Sequence, residues 1–558
     1  MRVLTDDPMS RPIISGEVPV KAHCLPFHQI PHTTKLFADY LQHSPAVRPF
    51  YPRSACFAEW FQEENSNLHY DPDRRARVAA ILERQNRAWN ASPQAFANIA
   101  RLRAGAAAVV TGQQVGLFGG PVFSLYKALT ALKLADQATR AGADCVPVFW
   151  LATTDHDLQE INHAALPAGT EGLQTLTAST RGLPDAPVSQ ISFGPEIESL
   201  LNQAIPLLGD SEAATILREC YRPGASLGTA FACLFARLFA DYGVILLDAS
   251  DPELNQIAAP IYRAALERAA ELNLALLTRG DELEKAGYHQ QVKVTPSSTV
   301  LFTLREGVRT PVHRSPQSQS DDFFVAGQRI PRAELLRQVD TAPHLFNGNA
   351  LLRPVVQDYL LPTLAYTGGA AEVAYFAQTA VIYQALLGRV TPILPRFSAT
   401  IVEAKPQSVL DRFHLQLTDL FSGPDALRQL LGQRALPQDL EAAFHKANTV
   451  LESSLDEIRD ALQRLDVTLV EAATKAGAKI SHQLTELRAR AARAELRQSE
   501  VLSRKADFLC NALFPDKSLQ EREVAGIYFV ARYGREILRQ LFDVMNPGCL
   551  DHQVVTFD

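Results

Sequence analysis

The chain has 558 residues with 54 basic and 61 acidic side chains, a formal charge of −7, and is 47% hydrophobic and 21% charged. This is the composition of a globular protein long enough for about two to four domains, and its mild acidity argues against an extended nucleic-acid surface. No apolar run is long enough for a membrane helix, and the opening MRVLTDDPMSRPII lacks a basic start followed by a hydrophobic segment, so the expected compartment is the cytoplasm.

Residues 1–50 read as irregular; His23, His28 and His32 lack a metal-binding pattern and are assigned surface or packing roles. The seven cysteines, at 24, 56, 145, 220, 233, 510 and 549, contain no CxxC pair, which argues against a disulfide scaffold or zinc ribbon. Each reads as a buried small residue. Helices are expected near Cys56–Gln62, over Pro72–Ala88 and over Pro93–Ala104, the last leading into a buried strand at Ala106–Val110. A turn of small and polar residues follows: Thr111, Gly112, Gln113, Gln114, Gly116, Gly119 and Gly120. Pro121–Ala135 then repeats Val122, Leu125, Ala128, Leu129, Leu132 and Leu134 at helical spacing. A strand, a glycine-rich turn and a helix whose first N–H groups favour an anion suggest the first unit of an α/β nucleotide site. The motif is neither GxGxxG nor GxxxxGK[ST], and Lys127 sits too late on the helix to replace the Walker lysine. Glycine spacing alone leaves a nucleotide site and a structural turn about equally open.

Cys145–Ala152 reads as a second buried strand. TTDHDLQEINH follows it, beyond the strand's carboxyl end, where open α/β sheets bind ligands. His156 suits donation to phosphate oxygens or proton transfer. Asp155 and Asp157 suit orienting that ring, binding a divalent ion or accepting a proton from an amine, with Glu160, Asn162 and His163 completing the cluster. The alternative is a polar cap on the next turn. The compact spacing is not a zinc signature; Mg2+ carried with ATP fits better. Residues 164–215 read as turns and short extended pieces. Ser226–Tyr242 is expected to be helical and Val244–Asp248 a third strand, with Asp248, Ser250 and Asp251 open to a ribose, a metal or a helix cap. Helices are expected over Pro252–Asn273 and Thr278–Ala286, β structure over Gly287–Leu304, polar turns to Asp322, strand and turn over Phe323–Ile330, and helix over Pro331–Val339.

The later signature joins Arg353, a fork suited to phosphate or carboxylate, to Gln357 and Asp358, suited to amino or sugar groups. Gly368 and Gly369 permit a tight strand-to-helix turn. Glu372, Tyr375 and Gln378, spaced by three, share one side of the next helix. Glu372 suits holding an amine or orienting a base, and Tyr375 a pocket wall. Val390–Pro395 is the expected last strand. Over residues 430–512 the pattern changes: Leu451, Leu455, Ile458, Leu462, Leu465 and Leu469, then Ile480, Leu484 and Leu487, give a coiled-coil seam. It either reverses at Asp466–Thr468 as a hairpin or runs on as one bent helix. A further helix is expected over Gln520–Phe542. Such a seam needs a facing surface, and a homodimer is expected.

The segment TGQQVGLFGGPVFSLYKALTALKLA closely resembles the bacillithiol biosynthesis cysteine-adding enzyme family, BshC. The resemblance continues in the family's order through VFWLATTDHDLQEINH, GYHQQV, NALLRPVVQDYLLPTLAYTGGAAEVAYFAQ and FPDKSLQER, over most of the chain. It implies an α/β fold: a Rossmann-like nucleotide-binding core with connecting insertions and a C-terminal antiparallel helical coiled coil. The expected domains are a core over 1–420 with insertions near 164–225 and 278–342, an arm over 421–514, and a helical segment over 515–558 packing on the core or arm. The implied activity is ATP-dependent joining of the carboxyl group of L-cysteine to the amine of glucosaminyl-malate. Within it, His156, Asp155, Asp157, Arg353 and Glu372 are expected to be catalytic. Thr111, Gly112, Gln113, Gln114, Gly116 and Gly119 are expected at the nucleotide, and Asn162, His163, Gln357, Asp358 and Tyr375 at the substrates; no protein ligand set is assigned to a metal. Two positions depart from the family pattern, Val115 for proline and Thr154 for glutamate. The second removes a carboxylate beside the expected pocket and leaves a divergent substrate or reduced activity open. The competing readings are a nucleotide-binding scaffold or regulator with a coiled-coil partner interface, and a nucleotidyltransferase that leaves its substrate adenylated.

Overall fold

In a computed structural model, residues 20–169, 172–315, 322–498 and 500–557 are described. The segment read for a leader, up to residue 19, and residues 316–321 of the polar turns expected before Asp322 lie outside them. Asp71 and Ser92 cap two helices by accepting from the N–H groups of Arg74 and Ala95, and Pro72 and Pro93 occupy the first helical positions, so Pro72–Ala88 (α1) and Pro93–Ala104 (α2) start where the sequence places them. In chain order there follow Ala107–Gln113 (β1), Phe123–Arg140 (α3), Cys145–Leu151 (β2), Glu212–Cys220 (α4), Leu227–Leu238 (α5), Ile245–Asp248 (β3), Pro252–Glu267 (α6) and Ala269–Lys285 (α7). Next come Ser298–Arg305 (β4), Val308–Arg314 (β5), Phe323–Val325 (β6), Gln328–Ile330 (β7), Phe346–Gly348 (β8), Arg353–Leu360 (α8), Thr363–Gly368 (β9), Ala370–Leu387 (α9) and Ile393–Pro395 (β10).

Two compact units form. The first takes the chain to Ala168, then Leu173–Thr400 and Glu521–Val555; the second is built mainly from Ile401–Gln520. At the centre of the first unit is a five-stranded sheet in the order β10-β9-β1-β2-β3, parallel throughout. Counting its own strands along the chain, this is the 3-2-1-4-5 order of a doubly wound fold. The connections run outward from β1 to β2 and β3, then cross to β9 on the other side of β1. The order therefore reverses between β1 and β9, and the crevice beyond their carboxyl ends is the position such a sheet offers to a ligand. Every residue of β2 is buried, as are all but the last of β1, because helices cover both faces.

β4 to β8 form a second, antiparallel sheet in the order β7-β6-β5-β4-β8. The expected insertion is thus a defined sheet that runs past residue 342 to close on β8. Residues 164–215, expected to be turns and short extended pieces, contain the start of α4 and a helix over Glu196–Leu208. That helix buries Ile197, Leu200, Leu201, Ala204 and Leu208, a helical spacing obscured by Pro195 before it and Pro206 within it. The expected helix over Gln520–Phe542 is three pieces, Gln520–Glu523, Gly526–Tyr533 and Glu536–Val544, followed by a strand over His552–Phe557. Gly534, with φ of 70°, makes the second break. Cys24 and Cys549 are disulfide-bonded with Cα atoms 6.6 Å apart, correcting the reading of each as a free packing residue; Cys145, Cys220 and Cys510 are buried thiols.

In the second unit, Gln438–Leu465 (α10) and Thr468–Gln498 (α11) form a helical hairpin. The reversal occurs at Asp466, whose carboxylate accepts from the Thr468 N–H at 2.9 Å and hydroxyl at 2.7 Å. Gly477 on α11 lets Leu455 of α10 approach closely, since a Cβ there would stand 2.7 Å from Leu455 Cδ1. No helix among the described residues is long and apolar enough to cross a membrane.

Candidate active site

The last residues of β1 each reach a different part of the chain. Thr111, fully buried, donates its hydroxyl to the Thr367 carbonyl of β9 at 2.9 Å, tying the two strands at the reversal. Gly112 lies against Arg353 of α8: a Cβ there would meet Tyr366 Oη at 3.2 Å and Arg353 Nη1 at 3.5 Å, so only glycine leaves that space open. Beyond it, Gln113 accepts through Oε1 from Lys127 Nζ at 2.9 Å, and the same ammonium donates to the Gly112 carbonyl at 2.7 Å. Its third contact is Glu372 Oε2 at 2.5 Å, so all three donors of a buried lysine are used. Gln114 donates to Asp155 Oδ2 at 2.9 Å and to Glu160 Oε2 at 2.8 Å. The glycine turn, the acidic–histidine loop and the Arg353–Glu372 segment therefore converge at the carboxyl end of β1.

Arg353 donates to Gln357 Oε1 at 3.1 Å, Tyr375 Oη at 2.7 Å and Tyr366 Oη at 3.3 Å. Burial pulls its pKa down, but Tyr366, Tyr375 and Glu372 outweigh that and hold the guanidinium charged. Burial pushes Glu372 upward, but Lys127, the Tyr366 hydroxyl at 2.5 Å and the Gly369 N–H at 2.8 Å outweigh it and keep the group below its ordinary value. For Lys127 burial dominates and lowers the pKa, with Glu372 opposing. Glu372 is thus engaged on both oxygens. Gln357 and Asp358 are buried and turned inward, Gln357 donating to Asp358 at 3.0 Å and Asp358 accepting from Tyr383. They support Arg353 from behind and present no accessible wall, unlike the substrate contacts expected of them.

On the loop after β2, Asp155 Oδ1 accepts from the His156 N–H at 2.9 Å and from Arg309 Nη1 at 3.3 Å. Arg309, on β5, also reaches His156 Nδ1 at 2.9 Å. Asp157 is exposed and accepts from the Glu160 N–H at 3.3 Å; His163 is exposed at the start of a short strand, its Nδ1 3.0 Å from the Gln159 carbonyl. Asn162 joins its neighbours through its backbone, its carbonyl accepting from Ala178 N–H. Asp155 joins the convergence through Gln114 and His156 is held beside it by Arg309; Asp157 and His163 have their observed contacts within their own loop.

The anion cradle expected at the start of α3 is closed. Gly116 N–H donates to the Gln114 carbonyl, Leu117 to Ile161, Gly119 to Gly116 and to the Tyr221 hydroxyl, and Gly120 to Leu117. Gly116 and Gly119 serve the turn itself: a Cβ on Gly116 would stand 2.9 Å from Gly120 Cα, and Gly119 has φ of 90°. The C-terminal segment seals the turn, since Val122 N–H donates to the Val524 carbonyl at 2.8 Å and Gly526 N–H to Gly120 at 3.0 Å. Asp248 and Asp251, left open between ligand and cap, act locally: Asp248 accepts from Thr153 and Ser250, and Asp251 caps α6. A narrow cavity on the first unit is lined in part by Lys133, Arg396, Phe397, Met545 and Asp551, and its Arg396 borders Gly369 at the start of α9.

Sequence reasoning passed over Lys127, Tyr366 and Arg309. Lys127 carried a signal, since a lone lysine amid Leu125, Ala128, Leu129 and Leu132 on a buried helix needs a buried partner. Arg309 carried none: it lies in the stretch before Asp322 that the sequence reads as polar turns, which the structure corrects to a strand over Val308–Arg314.

Sheet order, switch-point site and helical hairpin together define a Rossmann-like α/β protein with a C-terminal coiled coil. The family model described as "Bacillithiol biosynthesis BshC, N-terminal Rossmann-like domain" matches residues 20–397, and "Bacillithiol biosynthesis BshC, C-terminal coiled-coil domain" matches 399–557. A protein of Koribacter versatilis is 49% identical over 95% of this chain and 99% of its own, one of Solibacter usitatus 35% over 96% and 99%, and one of Salinibacter ruber 31% over 93% and 96%. Each is described as "Putative cysteine ligase BshC". The chain belongs to the BshC family of bacillithiol biosynthesis.

Proposed function

We propose that the protein is an ATP-dependent ligase joining the carboxyl group of L-cysteine to the amine of glucosaminyl-malate. The observation that carries this reading is the meeting, at the carboxyl end of β1, of Arg353 and the Lys127–Glu372 pair around Gly112 with the Asp155–His156 loop held by Gln114, in a chain whose relatives are described as cysteine ligases. A carboxylate is a poor acyl donor, because attack meets a stabilised anion and oxide is a poor leaving group. ATP, when bound, supplies the group that makes the carboxyl oxygen leave.

Three buried polar atoms without a partner support a polar ligand at this end of the sheet: Ser124 Oγ in the first turn of α3, Trp150 Nε1 near the end of β2 and Thr367 Oγ1 near the end of β9. They fit a nucleotide held beyond the strand ends better than one cradled by the occupied N–H groups of Gly116–Gly120. Among the described residues no group of three His, Cys, Asp or Glu side chains is placed to hold a metal, so Mg2+ would arrive on the nucleotide phosphates.

In this reading the fixed fork of Arg353 binds a carboxylate or phosphate, its charge maintained by Tyr366, Tyr375 and Glu372. Lys127 and Glu372 act one step back, holding the Gly112 carbonyl and the Gln113 amide where Arg353 meets the strand end. His156 and Asp155 flank the same end. Positioning of two reactants and stabilisation of developing oxygen charge are what amide formation requires.

Incubating the protein with isotopically labelled cysteine, glucosaminyl-malate and ATP should yield the labelled amide by mass spectrometry, together with AMP or ADP. Neither product nor nucleotide consumption over a broad substrate range would overturn the assignment.

A further inference from the structure

Arg309 comes from the antiparallel insertion sheet, not from the parallel sheet, yet its guanidinium is fixed from every side. Nε donates to Asn347 Oδ1 at 2.8 Å, Nη2 to the Gly348 carbonyl at 3.2 Å, and the plane lies 3.8 Å over the Phe302 ring. Its side chain is 8% exposed, while that of His156 is 34% exposed. Its backbone N–H is also used, donating to the Asp185 carbonyl at 3.1 Å. What remains is Nη1, which points to His156 Nδ1 at 2.9 Å and Asp155 Oδ1 at 3.3 Å.

A guanidinium has five donors and no acceptor. Where it meets an imidazole nitrogen, that nitrogen presents its lone pair, and a neutral ring then carries its proton on the other nitrogen. Asp155 Oδ1 lies 3.5 Å from Nδ1, farther than Arg309, and is already occupied by the His156 backbone N–H and Arg309.

We propose that Arg309 is a positioning residue that fixes His156 in the Nε2–H tautomer, so that His156 meets substrate as a hydrogen-bond donor to an anionic oxygen and not as a base. The inference rests on the reading of the β1 end as the reaction site. A base acting through Nε2 needs a lone pair on that atom and a proton on Nδ1, which Arg309 forbids. A donor aimed at carboxylate or phosphate oxygen instead stabilises charge as it develops. The insertion sheet thereby contributes to the chemistry without touching substrate, through the side chain it lends to the loop after β2.

The test reads the tautomer directly. In full-length protein labelled with 15N-histidine and held near pH 8, where a free imidazole is neutral, the His156 nitrogens are assigned by their loss in His156→Gln. The expected spectrum has a pyridine-type Nδ1 and a pyrrole-type Nε2, retained in Arg309→Lys and averaged in Arg309→Met. The opposite tautomer, a doubly protonated ring, or an Arg309→Met spectrum identical to the parent would overturn the proposal. If Arg309→Met does not fold, the parent and Arg309→Lys spectra decide. In turnover, His156→Gln, whose amide N–H can stand in for Nε2–H, should retain roughly tenfold more activity than His156→Asn, since loss of a charge-stabilising donor costs about a hundredfold or more. Equal loss in both would remove the donor role. A parent protein that makes no amide would sink the ligase reading while leaving the tautomer measurement to decide this one.

Discussion

A lysine, a carboxylate and a glycine carry the tightest constraints at the centre of the first unit. Lys127 and Glu372 have side chains only 5% and 15% exposed, so removing one leaves the other charged in a poorly solvated site. Lys127→Met is expected to cost about 3–5 kcal/mol of stability. Glu372→Gln should be destabilising too, and the double variant should be milder than the sum by more than about 1 kcal/mol. Urea unfolding of the four proteins measures this coupling; additive losses would mean that the two charges are independent. Gly112→Ala tests the other side of the strand end. Its methyl would crowd Tyr366 Oη and Arg353 Nη1, and turnover is expected to fall roughly tenfold through displacement of the fork, with Tm nearly unchanged. Full activity in Gly112→Ala would show that the open flank is not used. The glycine run and the acidic–histidine loop were legible in the sequence because they interrupt apolar patterns at strand ends. The Lys127–Glu372 pairing was not, since it joins residues 245 positions apart whose meeting depends on the β1–β9 neighbourhood. Nor was the inward turn of Gln357 and Asp358, since a polar pair on a short helix looks alike whether it faces ligand or core.

Among the elements, those with a clean period were legible and those assembled from pieces were not. β1, β2 and β3 were found within a few residues because continuous apolar runs between helices belong to a covered parallel sheet. The closing strand His552–Phe557 escaped, although it holds a defined polar cluster. His552, with none of its surface exposed, meets Ser398 Oγ at 2.7 Å through Nδ1 and Thr400 Oγ1 at 2.9 Å through Nε2, while Ser398 donates to Glu521 at 2.9 Å. Glu521 also pairs with Arg396 at 2.8 Å. Burial pushes the His552 pKa from 6.5 down to about 4, Glu521 opposing and Arg396 reinforcing the shift. Between those two values the unfolded chain takes up a proton that the folded chain refuses. Stability should therefore fall as pH drops through that window, by at most about 3 kcal/mol from this group. His552→Gln should flatten that part of the stability–pH curve in urea titrations. The Glu521 contribution, from a carboxyl held below its ordinary pKa, stays in the variant and is lost at lower pH. An unchanged slope in His552→Gln would mean that the imidazole is not the titrating group.

For the molecule as a whole, the heptad pattern gave the coiled-coil seam and left hairpin and bent helix open, and it did not show how little of that seam the two helices cover. Leu455 is buried, whereas Ile458, Ile480, Leu487 and Leu465 are 50%, 46%, 55% and 78% exposed. Large apolar side chains in such numbers on one arm call for a cover, and a second copy of the chain supplies one of the same kind. Light scattering after gel filtration should give twice the chain mass, and Ile458→Glu with Ile480→Glu should give a monomer that keeps its ligase turnover. A parent protein that is monomeric at every concentration would refute the expectation.

The seal on the glycine turn has a consequence for the order in which the protein matures. Val524 and Gly526, which close the turn that opens α3, emerge from the ribosome some four hundred residues after it, and Cys549 follows its disulfide partner Cys24 by 525 positions. A nascent chain can complete its parallel sheet and still have an unfinished turn, so a product that stops before Val524 would carry the sheet without the two hydrogen bonds that close it. The turn at the proposed site is thus closed by chain made long after the motif itself.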